Sequence, residues 1–174
     1  MKRIHRELVH KGKIIDYYQD TVIADNGMEE VFDFIGHKGA AAVVPVREDG
    51  KILMVRQYRN ALDRETLEIP AGGREGTEEP TRDCAARELE EETGFKSDNL
   101  ELLISIYTTV AFCNEKIDIY VARDLQPSKQ NLDEDEFIEV EAHDIEELCQ
   151  MIYNQKIQDA KTVAALMAYK NQLK

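Results

Sequence analysis

Between Gly73 and Phe95 the chain reads GREGTEEPTRDCAARELEEETGF, and its acidic residues fall at spacings suited to holding a divalent cation. Written as G-x5-E-x7-R-E-U-x-E-E-x-G-U, with U apolar, every slot is filled: Gly73, Glu79, Arg87, Glu88, Leu89, Glu91, Glu92, Gly94 and Phe95. From Glu79 to Thr93 no glycine interrupts the run. Pro80 sits where a first helical turn tolerates it, and Gly94 supplies the stop. On a helix Glu88, Glu91 and Glu92 are related as i, i+3 and i+4, so their carboxylates share one face within about 6 Å of each other. Charges of one sign at that separation repel. A hard cation, Mg²⁺ or alternatively Mn²⁺, removes the cost and keeps positions for water and phosphate oxygens. Ala85 and Leu89 are also i, i+4; burying them would orient the acidic face outward into a cleft. A solvated acidic helix is the plainer alternative in a chain of net charge −13. Such a helix would place lysines at i+4, yet Glu88 is followed by Glu92 and no base lies between them.

The segment needs a scaffold, and the flanking sequence supplies strand patterns. Arg6 to His10, Lys13 to Ala24 with an Asp25-Asn26-Gly27 turn, and Glu30 to Ile35 read as an N-terminal antiparallel meander. Ala40 to Arg47 and Lys51 to Tyr58, joined by Glu48-Asp49-Gly50, read as an apolar hairpin. Glu65 to Ile69 leads into the acidic segment, and Leu100 to Thr108 and Lys116 to Ala122 alternate as strands. Helical patterns follow near Ile145 to Asn154 and from Asp159, an N-cap, to Leu173. The expected class is α/β, an α/β/α sandwich around a mixed sheet with an N-terminal β meander. We divide it as residues 1–38, a β arm, and residues 39–174, the main domain. A few short strands bury too little to stand alone, so the arm needs a partner surface.

Composition narrows the function classes. A chain of 174 residues with 43% hydrophobic content can build one real core. The start MKRIHRELVHKGK has no apolar stretch, and no run approaches the roughly 18 apolar residues of a membrane span, so a cytoplasmic protein without a membrane partner is expected. Cys84, Cys113 and Cys149 form no CxxC pair and point to neither zinc nor disulfides. The negative charge argues against nucleic acid, whose phosphates need a basic surface. A phosphate substrate stays open, because a bound metal inverts the local sign.

The acidic segment resembles the signature of the Nudix hydrolases, and its flanks are similar to the ADP-ribose pyrophosphatase branch. Those flanks are His37-x-Gly39-Ala40-Ala41, Gln57-Tyr58-Arg59, Glu68-Ile69-Pro70-Ala71-Gly72-Gly73 and a late acidic loop, Asp133-Glu134-Asp135-Glu136-Phe137. The resemblance implies metal-dependent attack of water on a pyrophosphate, most simply of ADP-ribose to give AMP and ribose 5-phosphate. Glu88, Glu92 and Glu91 are then metal ligands, with the Ala71 carbonyl added by analogy. Glu134 and Glu136 match the branch's loop glutamates, one as general base and one as a further metal ligand, and Glu91 is carried as a catalytic candidate too. Arg59 matches a phosphate-binding arginine, with Arg56 a second candidate; either could instead pair with Asp63 or Glu65. Glu115 matches an acidic position that approaches the ligand from a neighbouring subunit.

Arg87 points about 100° away from Glu88 on a helix, so it is expected to pin the Gly73 loop or Glu79 rather than touch substrate. In similar enzymes the N-terminal arm is exchanged across a homodimer and supplies aromatic groups to the base; Tyr17, Tyr18, Phe32 and Phe34 are the candidates, Tyr17 and Phe32 foremost. Two positions depart from the branch. Thr109-Val110-Ala111 stands where a Ser-Pro-Gly stretch is common, and Phe32 stands where an arginine often precedes the His-x-Gly segment. ADP-glucose, GDP-mannose and other nucleotide sugars therefore stay open, as do a non-catalytic ADP-ribose-binding module and a nucleoside triphosphate or inorganic pyrophosphate cleaner.

Overall fold

Ala40 to Pro45, of sequence AAAVVP, is buried along its whole length, and the larger part of the molecule is arranged around it. The computed structural model describes residues 1–132 and 136–173. In chain order the elements are β1 (Lys2–Lys11), β2 (Asp16–Ile23), β3 (Glu29–Gly36), β4 (Ala40–Pro45), β5 (Ile52–Arg59), β6 (Arg64–Glu68), β7 (Ala71–Gly73), α1 (Thr81–Thr93), β8 (Phe95–Lys96), β9 (Asn99–Tyr107), β10 (Lys116–Arg123), β11 (Gln126–Pro127), β12 (Ile138–His143), α2 (Ile145–Tyr153) and α3 (Ala160–Gln172). Backbone contacts group them into two units, one of Met1–Gly39 with Tyr107–Lys116 and one of Ala40–Ile106 with Ile117–Lys174. The β arm is thus accompanied by a segment distant in sequence.

In the first unit β1, β2 and β3 form an antiparallel sheet in chain order. Asp20 is its only buried side chain among the described residues. Tyr17 and Tyr18 alternate across the sheet. Tyr18 packs on Phe34 with ring centroids 5.8 Å apart, and the Arg6 guanidinium lies 3.9 Å from the Phe34 centroid and 5.3 Å from that of Tyr18. Arg6 also grips Asp20 through two bonds of 2.6 Å. Tyr17 instead donates to Asp33 at 2.6 Å.

The second unit is an α/β/α sandwich. A mixed four-stranded sheet runs β7-β4-β10-β9, with β4 and β10 parallel, and an antiparallel sheet runs β12-β5-β6. Parallel central strands are covered on both faces, which is why AAAVVP shows no polar alternation. Ala40, Ala42 and Val44 join Ile52, Met54, Ile119, Leu148 and Leu166 in one cluster, packing toward α2 and α3. Ala41 and Val43 join Ala85, Leu89 and Tyr120 in the other, under α1.

The expected hairpin of β4 and β5 does not form beyond one bridge, Val46 to Ile52. The Glu48-Asp49-Gly50 turn is present, with Gly50 at φ 80° and Arg47 N–H bonded to the Lys51 carbonyl at 2.9 Å. The strands then part into different sheets, because β4 is apolar on both sides and takes the buried place beside β10, whereas β5 runs into Arg56 and Arg59. Helix α1 begins at Thr81, two residues after Glu79, since Pro80 occupies the N-cap in extended conformation. Gly94 ends it at φ 70°. Asp159 caps α3, accepting from Thr162 N–H at 3.0 Å. No helix among the described residues is long and apolar enough to cross a membrane, and Cys84, Cys113 and Cys149 are free thiols.

Candidate active site

Glu88 and Glu92 lie on the buried side of α1, 8% and 3% exposed, beside Cys84, Ala85 and Leu89. The acidic face does not simply project outward, as amphipathy suggested. The Ala71–Gly73 strand covers it: Ala71 N–H donates to Glu92 Oε2 at 3.0 Å, and a Cβ on Gly72 would stand 2.1 Å from Glu88 Oε1. Glycine at 72 is what lets the backbone approach the carboxylate, a requirement the sequence signalled only as one letter of Ala-Gly-Gly.

Burial pushes the Glu88 carboxyl up to about 7 despite the opposing Arg87 charge, and Glu91 and Glu136 push the same way. Burial and then the Glu88 charge raise Glu92 to about 8, with Glu136 adding and the Ala71 N–H partly offsetting. The charge of Glu136 therefore reaches both helix carboxylates, although its side chain is exposed. Glu134 lies outside the described residues.

Arg87 contacts the Gly73 carbonyl at 3.1 Å and Glu79 Oε1 at 3.3 Å. Its Nη1 also donates to Glu88 Oε1 at 2.6 Å and Glu91 Oε2 at 2.9 Å, because a guanidinium on a long stem spans the angular gap between successive helix positions. Glu79 further accepts from Glu75 N–H at 2.7 Å, which closes the loop before α1. Burial works against its ionisation, but that N–H and Arg87 hold its pKa below the ordinary value.

The groups that could hold a cation here, Glu88, Glu91, Glu92 and the Ala71 carbonyl, offer only oxygen. Glu88 and Glu92 are adjacent buried carboxylates raised by burial and by acidic neighbours; Arg87 offsets only part of this at Glu88, and a hard divalent cation would supply further positive charge. Among the described residues no three acidic, imidazole or thiol side chains stand ready around one point, and Glu91 is turned onto Arg87. The chemistry of the donors fits a divalent cation, with Arg87 bonded to two of them.

The two arginines of β5 have partners other than Asp63 and Glu65. Arg59 forms a bidentate pair with the buried Glu68, Nε to Oε1 at 2.8 Å and Nη2 to Oε2 at 2.7 Å. Arg56 bonds Glu141 at 2.5 Å, and Glu141 in turn meets His143 at 2.8 Å. Strand alternation explains the choice: Glu68 is registered with Val55, on the face that Arg59 shares. Between the arginines, Gln57 Nε2 is buried with no hydrogen-bond partner among the described residues, a donor that sequence reasoning passed over.

In the first unit, Phe32 lines a pocket of 360 Å³ with Arg3, Asp33, Phe34 and Phe112. Glu115 accepts from Thr108 Oγ1 at 2.7 Å and lies 3.6 Å from His37 Nδ1. That nitrogen accepts from Gly39 N–H at 3.0 Å.

A family model described as NUDIX domain matches residues 36–166. The chain belongs to the Nudix hydrolase family. Two relatives match it along most of their length. It is 40% identical over 167 residues to the ADP-ribose pyrophosphatase of Bacillus subtilis (strain 168), covering 95% of this chain and 90% of that protein. Identity is also 40%, over 168 residues with the same coverage, to the methanol dehydrogenase activator of Bacillus methanolicus. A crystal structure of ADP compounds hydrolase superposes with a TM-score of 0.87 at 22% identity, covering 99% of this chain and 95% of that one, and shows a shared fold.

Proposed function

We propose that this Nudix hydrolase cleaves the pyrophosphate bond of a nucleoside diphosphate sugar with Mg²⁺, ADP-ribose giving AMP and ribose 5-phosphate. The observation that carries the reading is the buried Glu88–Glu92 pair against Gly72, supported by the identity to an ADP-ribose pyrophosphatase. Glu88, Glu92, Glu91 and the Ala71 carbonyl would hold the cation, with Glu136 from the late loop as a further ligand. When bound, the cation polarises phosphate oxygens and lowers the pKa of water. Glu134 or Glu136 takes the proton of the attacking water.

Arg59 presents its guanidinium to the diphosphate while Glu68 fixes its plane, and Gln57 Nε2 is a spare donor on the same strand face. Arg56, held by Glu141, adds positive charge. Tyr17, Phe32 and Glu115 of the first unit are the groups proposed to contact the nucleotide. Arg87, with Glu79, Gly73 and Gly94, sets the loop and helix rather than touching substrate. The exposed apolar residues of the arm, among them Ile4, Leu8, Val31 and Phe32, support a homodimer in which a second copy covers them. We assign the enzyme to the cytoplasm, with neither nucleic acid nor membrane as a partner.

A panel of nucleoside diphosphate derivatives, ADP-glucose and GDP-mannose included, assayed in Mg²⁺ and in EDTA, tests the reading. The expected outcome is metal-dependent cleavage with ADP-ribose preferred. Cleavage undiminished in EDTA overturns the metal assignment. Tight calorimetric binding of ADP-ribose without turnover in Mg²⁺ would make the chain a binding module.

A further inference from the structure

Glu68 is 2% exposed, and its carboxylate accepts four bonds: Arg59 Nε at 2.8 Å, Arg59 Nη2 at 2.7 Å, Thr66 Oγ1 at 2.6 Å and the ammonium of Lys161. A carboxylate has about four lone-pair sites, so this one is fully used and its orientation is fixed. Lys161 comes from the first turn of α3, 93 residues along the chain from Glu68. It is held from behind by Asp159 at 2.9 Å, whose Oδ2 also caps α3 through Thr162 N–H at 3.0 Å and Thr162 Oγ1 at 2.6 Å. Thr162 Oγ1 accepts from Ile69 N–H at 3.1 Å. The start of α3 is therefore bonded to the same short segment that supplies Glu68 and, at Ala71, the N–H on Glu92.

Arg59 has five N–H groups. Glu68 engages Nε and Nη2, and among the described residues Nη1 has no protein acceptor. A pocket of about 370 Å³ lies alongside, and its lining includes Arg59, Arg64, Lys161, Glu68, Asp159 and Gln158. Arg59 and Glu68 alone sum to zero charge, and a neutral pair attracts an anion weakly. Lys161 takes up part of the Glu68 charge and leaves the Arg59 field available. Apolar packing of the same volume would commonly serve stability as well as a buried ion pair, so stability alone does not account for charged groups at this place.

We propose that Lys161 and Glu68 are positioning residues that lock the guanidinium plane of Arg59 toward the diphosphate and preserve its positive field, so that Lys161 sets substrate affinity without touching the reacting atoms. The proposal rests on the nucleoside diphosphate reading given above. Arg59, Arg64 and Lys161 exceed Glu68 and Asp159 around this pocket by one positive charge, and removing the Lys161 charge brings that local balance to zero beside an anionic substrate.

The test compares wild type, Lys161→Met and Lys161→Arg by steady-state kinetics on ADP-ribose in Mg²⁺, with a parallel calorimetric titration of inorganic pyrophosphate in Mg²⁺. Lys161→Met should raise KM about tenfold and weaken pyrophosphate to match, with kcat within about twofold, while Lys161→Arg should return KM to within about threefold of wild type. If Lys161→Met does not fold, Lys161→Gln, which keeps a polar contact to Glu68 without the charge, supplies the same readout. Unchanged KM and pyrophosphate affinity overturn the proposal, and so does a loss confined to kcat. Should wild type cleave no member of the substrate panel, the functional reading falls, and the pyrophosphate titration still decides the role of Lys161.

Discussion

Every buried apolar side chain of the described residues belongs to the second unit, while in the first unit Leu8 is 47% exposed, Val31 60% and Phe32 44%. The second unit also buries charge: Glu68, Glu88 and Glu92 lie within or beside its apolar clusters. The first buries one carboxylate, Asp20, and compensates it with Arg6. Burying an ionised group costs several kcal/mol unless it is paired, so it needs packing that cannot relax away from it. Two clusters on either side of β4 provide that packing for the helix carboxylates. The arm, held by its ladder and by the Arg6 contacts, cannot, and its apolar side chains stay exposed.

The largest effect expected from breaking this contrast is on turnover. Glu92→Gln keeps the shape and the Ala71 N–H contact but removes a charge that burial already disfavours. It should lower kcat by about 10³ in Mg²⁺, the scale of losing a major electrostatic stabiliser, while the melting temperature stays level or rises. Kinetics and a thermal melt on the same preparation check both halves. Retained turnover removes Glu92 from the metal site, and a falling melting temperature assigns it to the fold.

Matched leucines sharpen the comparison directly. Leu89→Ala, at a wholly buried position under α1, should cost about 2–5 kcal/mol in chemical denaturation. Leu8→Ala in the arm should cost below about 1 kcal/mol in the isolated chain and instead shift the monomer–dimer balance measured by light scattering. Equal costs at the two sites would mean that the arm has a core of its own.

The same contrast explains what the sequence made legible. Helix α1 and its stop, the arm strands and the C-terminal helices could be read because their patterns are local: capping residues, glycine at φ 70°, period 2. The Nudix segment was legible because its closely spaced acidic residues, Glu88, Glu91 and Glu92, fall within two turns of one helix. Three features were not. The separation of β4 from β5 depends on β10, which lies far along the chain and competes for the same edge. The partner of Arg59 is fixed by register between β5 and β6, whereas sequence proximity favoured Asp63 and Glu65. Lys161 reaches Glu68 across 93 residues, and nothing near either residue announces the contact.

Acid should weaken the second unit through Glu68. Burial opposes its ionisation, but the hydrogen bonds from Arg59 together with the Lys161 charge bring its pKa down from 4.5 to about 2. A carboxyl depressed on folding contributes stability that is fully present above its unfolded value and is lost as pH falls through the folded one. The loss should run from about pH 4.5 to about pH 2 and amount to about 3 kcal/mol, since each tenfold difference in proton affinity between the folded and unfolded chain is worth roughly 1.4 kcal/mol. Glu68→Gln should be less stable at neutral pH, and its stability should change less with pH across that window. Urea titrations at stepped pH values measure the slope; parallel curves for wild type and variant would show that Glu68 ionises alike in both states.

A small effect is also expected in the arm, where the partly exposed Arg6 holds the buried Asp20. Arg6→Lys keeps the positive charge but loses the two-pronged grip on Asp20 and the flat stacking over Phe34. A cost of about 1 kcal/mol is expected, because the Arg6 side chain is partly exposed and water substitutes for much of what is lost. The informative readout is local: hydrogen exchange should quicken in β1 to β3 and stay unchanged in β4 and β10. Faster exchange in the buried strands as well would mean that the two units unfold together, and the difference in their packing would then have no counterpart in their stability.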